Sequence, residues 1–202
     1  MIDFFKGQMD YILFLYGLAF IMLGAVCFIM MKEKMHRLPW GWLGLFGFIH
    51  AVHEWLGIID ISIGHSDRSF QIVHILLIGV SFLALTEFGR GAVCGLHGKG
   101  PGRWIFVPLL ASASVGGLSG ISGLDAASRY AIGLVGGLWA AYALFIASRG
   151  HAMLPRRWLL AGSIFLGLYA ISTGAVPPFA SFYPASFINS DAFLQTLGFP
   201  VQ

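Results

Sequence analysis

Charged residues are scarce in this chain. Its 202 residues include 12 Lys and Arg and nine Asp and Glu, so only 10% are charged, against about 25% in an average soluble domain. Hydrophobic residues make up 57% of the chain, and the mean hydropathy is +0.81. One soluble core of this length cannot bury so much apolar surface. The composition therefore excludes an ordinary soluble domain and indicates an integral membrane protein.

Cysteines and catalytic motifs are also scarce. Cys27 and Cys94 are too few and too far apart for a disulfide framework, so we expect two free thiols. The sequence has no phosphate-binding loop, nucleophile elbow, HExxH or CxxC motif. The chain alone therefore gives no support for an enzyme. Its net charge of +3, spread over short loops, gives none for nucleic-acid binding.

Long apolar runs are what the sequence does contain. Each run, at ~1.5 Å per residue, is long enough to cross a hydrocarbon layer of ~30 Å as a helix. The six runs cover residues 11–31, 40–59, 70–88, 104–123, 130–147 and 158–176. We therefore predict an all-α, polytopic membrane bundle of six transmembrane helices, forming a single domain over residues 1–202 and embedded in a lipid bilayer.

The basic residues predict the orientation of these helices. Most of them fall in the loops after spans one, three and five: Lys32, Lys34, Arg37, Arg90, Lys99, Arg103, Arg149, Arg156 and Arg157. Short basic loops are retained in the cytoplasm. We therefore predict that the N-terminus lies outside.

Small residues four positions apart mark predicted helix contacts in spans four and five. These are Gly116 with Gly120, and Gly133 with Gly137. Glycines at this spacing let helices approach closely in membranes. We expect all four to pack against neighbouring helices of the bundle.

The C-terminal residues 177–202 are predicted to form an outer tail that leads into a further helix. The tail becomes apolar again at Phe193, and the sequence stops at Gln202. We expect a seventh span, cut short by the end of this sequence, that would carry the chain back to the cytoplasm.

Three titratable residues interrupt the apolar second span. At about 100° per residue, His50, His53 and Glu54 share one helix face. The third span carries a weaker polar stripe that includes Gln71 and His74. Because consecutive spans are antiparallel, we expect the two stripes to face each other. A charged group at this depth costs ~2.5 to 3.5 kcal/mol on insertion scales, so such groups need partners.

Three interpretations of these residues stay open. In the first, the polar side chains hydrogen-bond across helices and fix their register. In the second, His53 and His74, together with His50 or Glu54, bind a metal ion or ligate haem, since neutral imidazole is a good ligand. In the third, the residues bind a small ligand, a quinone or a proton and thereby change helix packing.

Four stretches carry a resemblance to a known class of proteins. They are "FFKGQMDYILFLYGLAFIMLG", "LPWGWLGLFGFIHAVHEWLGIID", "FLALTEFGR" and "FINSDAFLQTLGFPVQ". Together they resemble the multi-pass N-terminal membrane region of bacterial two-component histidine kinases and related PAS or diguanylate cyclase signalling proteins. The resemblance implies a sensory input module of the bacterial inner membrane, followed by a cytoplasmic output domain through which the protein forms a homodimer.

The sequence departs from that class in one respect. The phosphoacceptor histidine and the ATP-binding motifs of a kinase are absent from these 202 residues. The expected function is therefore signal input, with ligand or proton sensing at His50, His53, Glu54, Gln71 and His74 and no required cofactor. The alternative is a redox membrane subunit that binds b-type haem or quinone through its intramembrane histidines.

Overall fold

The computed structural model describes residues 9–33, 38–63, 67–150 and 156–196, and this part of the chain is helical with no strand. It contains two short 3₁₀ turns, at Arg103–Ile105 and Gly117–Ser119, and one π-helical segment at Arg129–Leu134. The helices are α1 Met9–Lys32, α2 Trp40–Ile63, α3 Arg68–His97, α4 Phe106–Gly116, α5 Gly120–Ser128, α6 Val135–Arg149, α7 Arg156–Ala175 and α8 Ser190–Thr196.

Four helical segments are long and apolar enough to cross a membrane. They are Asp10–Lys32, Trp40–Ile59, Arg68–His97 and the 47-residue segment Arg103–Arg149. The prediction of an all-helical chain with membrane-type helices is thus confirmed. Predicted spans four and five both lie within the last segment, and predicted span six corresponds to α7. The count of six spans and the outside N-terminus stay predictions.

The 47-residue segment folds back on itself at Gly120. This glycine has φ +85°, which side-chain-bearing residues rarely adopt. Helices α4 and α5 then pack against each other, with Gly116 directly against Ala127. The chain therefore turns at 117–120, whereas our span boundaries placed the loop at 124–129. Asp125 and Arg129 suggested a loop, but they form an ion pair at i,i+4 with 2.9 Å between Oδ1 and Nε, so both are accommodated on a helix.

The four glycines predicted to pack helices do not all have that role. Gly116 packs against α5, the ring of Phe82 covers Gly133, and Gly137 lies against Ala170 of α7. Gly120 differs from the prediction, because a side chain there would meet no atom within 4 Å. Gly120 serves the turn, whose backbone needs a positive φ, rather than a contact between helices.

The long helices pack in series around one core. Helix α1 lies against α2, α2 against α3, α3 against α6, and α6 against α7. The helices also approach closely at glycines that we did not single out, such as Gly47, where an added Cβ would lie 2.7 Å from the carbonyl oxygen of Phe20. A groove of about 390 Å³ is left between α1 and α7.

The direction of each helix follows from its contacts. Helices α2 and α3 are antiparallel, as are α1 with α2 and α6 with α7, whereas α3 and α6 run parallel. This arrangement brings basic ends of the helices to the same end of the bundle: Lys32, Arg90, Arg103, Arg149 and Arg156. Other residues of the predicted basic loops, Lys34 and Arg37, lie outside the described residues.

The largest fully buried side chains of the core are aromatic. Phe46, Phe82 and Phe88 are fully buried together with Leu85. Phe20 of α1 meets the ring of Phe46 edge to face, with 5.6 Å between centroids, a favoured aromatic arrangement. This aromatic layer surrounds the polar residues of α2 described next.

Both cysteines are free, as expected. Cys27 is buried on α1, and Cys94 is half-buried near the end of α3. Helix α3 ends at Gly98, which adopts the left-handed conformation at φ 69° and donates its N–H to the carbonyl of Cys94. Such a glycine is a common helix stop.

The predicted outer tail contains one short helix. Helix α8 spans the seven residues Ser190–Thr196 and includes Phe193, where the predicted seventh span begins. Residues 197–202 lie outside the described residues.

Candidate functional site

His50 connects three helices through its ring nitrogens. Its Nδ1 is 3.1 Å from Oγ of Ser81 on α3, and its Nε2 is 3.1 Å from the hydroxyl of Tyr169 on α7. Ser81 donates its own proton to the carbonyl of Ile78 at 2.7 Å. The serine oxygen therefore accepts a hydrogen bond from the Nδ1–H of His50. The neutral ring then carries its lone pair on Nε2, where the Tyr169 hydroxyl donates to it.

Glu54 lies one turn further along α2 and faces two imidazoles. Its Oε1 is 3.4 Å from Nε2 of His50 and 3.5 Å from Nδ1 of His53. The glutamate side chain is 13% exposed. One carboxylate oxygen is thus shared between two histidines and has no permanent cation among these contacts.

His53 is buried without a hydrogen-bond partner. The residue is 5% exposed, and neither ring nitrogen has a partner among the described residues. Its ring stacks on that of His74, with 3.9 Å between centroids, and Nε2 of His74 donates to the backbone carbonyl of His53 at 3.1 Å. Leaving a buried polar group unsatisfied costs about 1 to 3 kcal/mol. Such a group in a folded protein calls for an explanation.

We refer to His50, His53, Glu54 and His74 as the histidine–glutamate cluster. A cavity of about 190 Å³ adjoins it. The cavity wall combines both signs of charge with hydroxyl groups and one apolar residue, and consists of Tyr16, His50, Glu54, Ile78, Arg129, Tyr169, Ser172 and Thr173. Polar groups from α1, α2, α7 and the π-helical segment therefore converge on one small space.

The structure brings together four of the five predicted sensing residues. Gln71 is the exception, because its side chain is exposed and does not line the cavity. The donor atoms that lie closest together differ from the set His50, His53 and His74. Within the described residues, the donor atoms that cluster within 4.8 Å belong to His50, His53 and Glu54. The Nε2 of His74 is instead engaged by a backbone carbonyl.

Tyr169 and Arg129 are among the residues of this site that were not predicted from the sequence. Tyr169 belongs to the polar face formed with Ser172 and Thr173 at i, i+3 and i+4 on α7, a spacing that could have identified it. Arg129 was assigned to an outer loop. It instead opens the π-helical segment beside the cavity, and π-helical turns are frequent at functional sites.

A second buried polar cluster lies towards the other end of α3. Arg90 makes a bidentate contact with Glu87, with Nε 2.6 Å from Oε2 and Nη2 2.7 Å from Oε1. Arg103 adds a longer contact, with Nε 3.3 Å from Oε1. We call these three residues the arginine–glutamate cluster. Glu87 and Arg90 are three residues apart on α3, a spacing that lets side chains pair on a helix.

The one remaining histidine that the structure describes belongs to neither cluster. His97 is exposed at the end of α3. His36, His65 and His151 lie outside the described residues.

Comparisons with protein-family models, with curated proteins and with solved structures found no match for this chain. The function must therefore be argued from the geometry of the site.

Proposed function

We propose that this chain is the membrane-embedded sensory module of a bacterial signalling protein. In this proposal it crosses the inner membrane six times, begins outside, and passes its signal to an output domain in the same polypeptide, through which the protein dimerises. The observation that carries the proposal is the buried imidazole of His53, whose ring nitrogens make no hydrogen bond to any described residue, next to Glu54 at the wall of a polar cavity. A site that lacks partners in the folded protein is suited to receive one from a ligand.

A purely structural role fits His53 less well. A polar residue kept only to join helices would form hydrogen bonds across them, since that is its contribution to stability in a membrane. His50 does so with Ser81 and Tyr169. The ring of His53 forms no hydrogen bond with the described part of the chain, and an apolar residue of similar volume would avoid the cost of burying its nitrogens.

The position of the cluster supports a mechanism. His50 contacts α3 and α7 directly, and the cavity also borders α1 and the π-helical segment. An occupant that binds Glu54 and His53 would compete with the contact between His50 and Tyr169 and shift α2 relative to α7. A ligand moves such an equilibrium only through different affinities for the two arrangements. Rearranged hydrogen bonds at this crossing supply that difference.

The arrangement of charge supports the proposed topology. The helix directions bring Lys32, Arg90, Arg103, Arg149 and Arg156 to the same end of the bundle. Basic residues at one end are the pattern of a cytoplasmic face. The hairpin at Gly120 then lies towards the opposite, outer side.

Signalling output in cells tests this function. Replacing His53 with Leu, or Glu54 with Leu, should abolish the response while the protein still inserts and accumulates normally. Val52→Leu is the matched control, because Val52 neighbours His53 on α2 but is exposed. An unchanged response in the His53 and Glu54 variants would leave only a structural role.

The reading frame beyond the codon for Gln202 tests the class of protein. We expect an in-frame PAS, kinase or cyclase domain. A stop codon at that point would contradict an input module joined to its own output domain.

The redox alternative has two forms, haem ligation and quinone binding, and the distances in the site disfavour the first. Haem ligation by His53 and His74 is disfavoured, because their rings are stacked 3.9 Å apart and leave no space for a macrocycle between them. Quinone binding is favoured by one observation: Tyr16 and Tyr169 line both the polar cavity and the apolar groove between α1 and α7. The groove could hold an isoprenoid tail while the cavity holds the head group.

Extraction distinguishes this alternative. Organic extraction of the purified protein should yield about one quinone per chain if the alternative is correct. Protein that contains no more quinone than a Tyr169→Ala variant would contradict it.

A further inference from the structure

Three donor atoms of the histidine–glutamate cluster are spaced like the ligands of one metal ion. Oε1 of Glu54 is 3.4 Å from Nε2 of His50 and 3.5 Å from Nδ1 of His53. One donor atom from each of the three residues lies within 4.8 Å of the others. Two ligands that are about 2.0 to 2.1 Å from a tetrahedral zinc ion are about 3.4 Å apart. Two edges of the donor triangle therefore already match a coordination polyhedron.

The surroundings of His50 orient it as a ligand. Ser81 accepts a hydrogen bond from the Nδ1–H of His50, because its own hydroxyl donates to the carbonyl of Ile78. The Nε2 lone pair consequently faces Glu54 and the Tyr169 hydroxyl. Metal-binding histidines usually donate their second nitrogen in this way, which fixes the tautomer and the direction of the ring.

The state of His53 is an independent observation in favour of a ligand. Its Nδ1 lies 3.5 Å from the shared carboxylate oxygen and has no hydrogen bond to any described residue, although the residue is 95% buried, being only 5% exposed. A metal ion bound at Nδ1 would give this nitrogen the partner it lacks. The stacked ring of His74 and its hydrogen bond to the His53 carbonyl hold the residue in place.

The charge around the site also favours a cation. Among the residues that the structure describes, Glu54 has no arginine or lysine in close contact, whereas the nearby Arg129 is paired with Asp125 at 2.9 Å. A divalent ion would compensate the carboxylate in a region where an unpaired charge is costly. The cavity of about 190 Å³ that borders His50 and Glu54 leaves space for water as an additional ligand.

We propose that His50, His53 and Glu54 bind one divalent transition-metal ion of the zinc type. Imidazole nitrogen and carboxylate oxygen are suitable donors for such ions. This inference deepens the proposed function by naming the ligand class of the same site, and only its signalling consequence rests on that function. Binding of the ion would pull Glu54 and His53 together and weaken the contact of His50 with Tyr169.

Metal binding by the purified 202-residue chain tests the inference. The protein is purified without a polyhistidine tag, treated with a chelator, and titrated with Co²⁺ and with Zn²⁺. We expect one ion per chain, visible Co²⁺ absorption typical of a low-coordinate site, and imidazole scattering in X-ray absorption spectra of the wild type. These readouts need no variant.

Substitutions then assign the ligands. Glu54→Gln should weaken binding at least ~100-fold, and Ser81→Ala about 10- to 100-fold through loss of the outer partner. His97→Gln is the matched control for surface histidines, since His97 is exposed, and it should bind like the wild type. Helical content and elution volume identify any variant that fails to fold.

Two results would overturn the metal site. One is a wild type that binds no more metal than a His50→Gln, His53→Gln double variant. The other is a spectrum of the bound ion without imidazole ligands. If metal binding fails but His53→Leu still abolishes output, the ion is wrong and the sensory function stands. If the wild type binds metal but His53→Leu leaves output unchanged, the metal site stands and the sensory function is wrong.

Discussion

The two buried glutamates of this chain have different surroundings. Glu87 is held by two arginines, one of them in a bidentate contact at 2.6 and 2.7 Å. Glu54 faces two imidazoles at 3.4 and 3.5 Å, and the wall of the cavity beside it contains hydroxyl groups and Arg129. The side chains are 8% and 13% exposed, so burial alone does not distinguish them.

The residues that contact each carboxylate distinguish Glu87 from Glu54. Arginine is permanently charged, and its planar fork matches a carboxylate, so the arginine–glutamate cluster is complete in the folded chain. Histidine is neutral or charged according to its surroundings and also binds metals. The histidine–glutamate cluster leaves the ring nitrogens of His53 without a hydrogen bond in the described part of the chain. A completed ion pair indicates a structural role, whereas an incomplete polar cluster beside a cavity indicates a binding site.

The largest expected effect comes from Glu87→Gln. The substitution removes the charge that compensates Arg90, whose side chain is only 15% exposed. Breaking a buried pair while leaving one charge in place costs about 3 kcal/mol or more. Unfolding in mixed micelles should show a loss of that size. A variant as stable as the wild type would contradict the structural role of this cluster.

His50→Leu should have the second largest effect. It removes one hydrogen bond from Ser81, which is buried, and one from Tyr169, which is half-buried. Losing these two hydrogen bonds should lower the free energy of unfolding by about 2 kcal/mol. Combining the change with Tyr169→Phe should recover part of the loss, because the tyrosine hydroxyl is then also removed. Equal stability of the single and double variants would argue against this hydrogen bond.

Glu54→Gln makes the same substitution in the other cluster. In metal-free protein we expect a change of less than about 1 kcal/mol, because no buried arginine loses its partner. The comparison with Glu87→Gln uses the same unfolding assay. A loss as large as that at Glu87 would show that Glu54 compensates a buried charge and would remove the contrast between the clusters.

The smallest effect should follow from Arg103→Ala. This arginine also contacts Glu87, but its side chain is 76% exposed. Exposed ion pairs contribute about 0 to 1 kcal/mol, and salt screens them. The unfolding free energy should therefore change by about 0.5 kcal/mol, and less in high salt. A larger loss, insensitive to salt, would indicate that Arg103 belongs to the buried part of its cluster.

Local patterns in the sequence predicted much of the fold and part of the site. Hydropathy predicts helices because a chain in lipid must satisfy its backbone within each helix. The 100° periodicity places His50, His53 and Glu54 on one face, and these three residues lie together in the structure. That face is a property of a single helix and can be read without knowing how the helices pack.

The remaining features depend on packing between distant segments. Tyr169 lies 119 residues after His50, and nothing local to either residue indicates their contact. Arg129 was expected in a loop because charges at a span boundary usually mark one, but its pairing with Asp125 lets the helix continue. The chain therefore turns at Gly120 instead of at the predicted boundary. Gln71 was included among the sensing residues because it shares a helix face with His74, although its side chain is exposed on α3.

The central claim is that His53 is retained for binding rather than for stability. The most direct test is the free energy of unfolding of His53→Leu relative to the wild type, measured in the presence of a chelator. We predict equal or greater stability, by up to about 1 kcal/mol, because the substitution removes two buried nitrogens that have no hydrogen-bond partner among the described residues. A loss of about 2 kcal/mol or more would show that His53 holds the bundle together and would contradict the account.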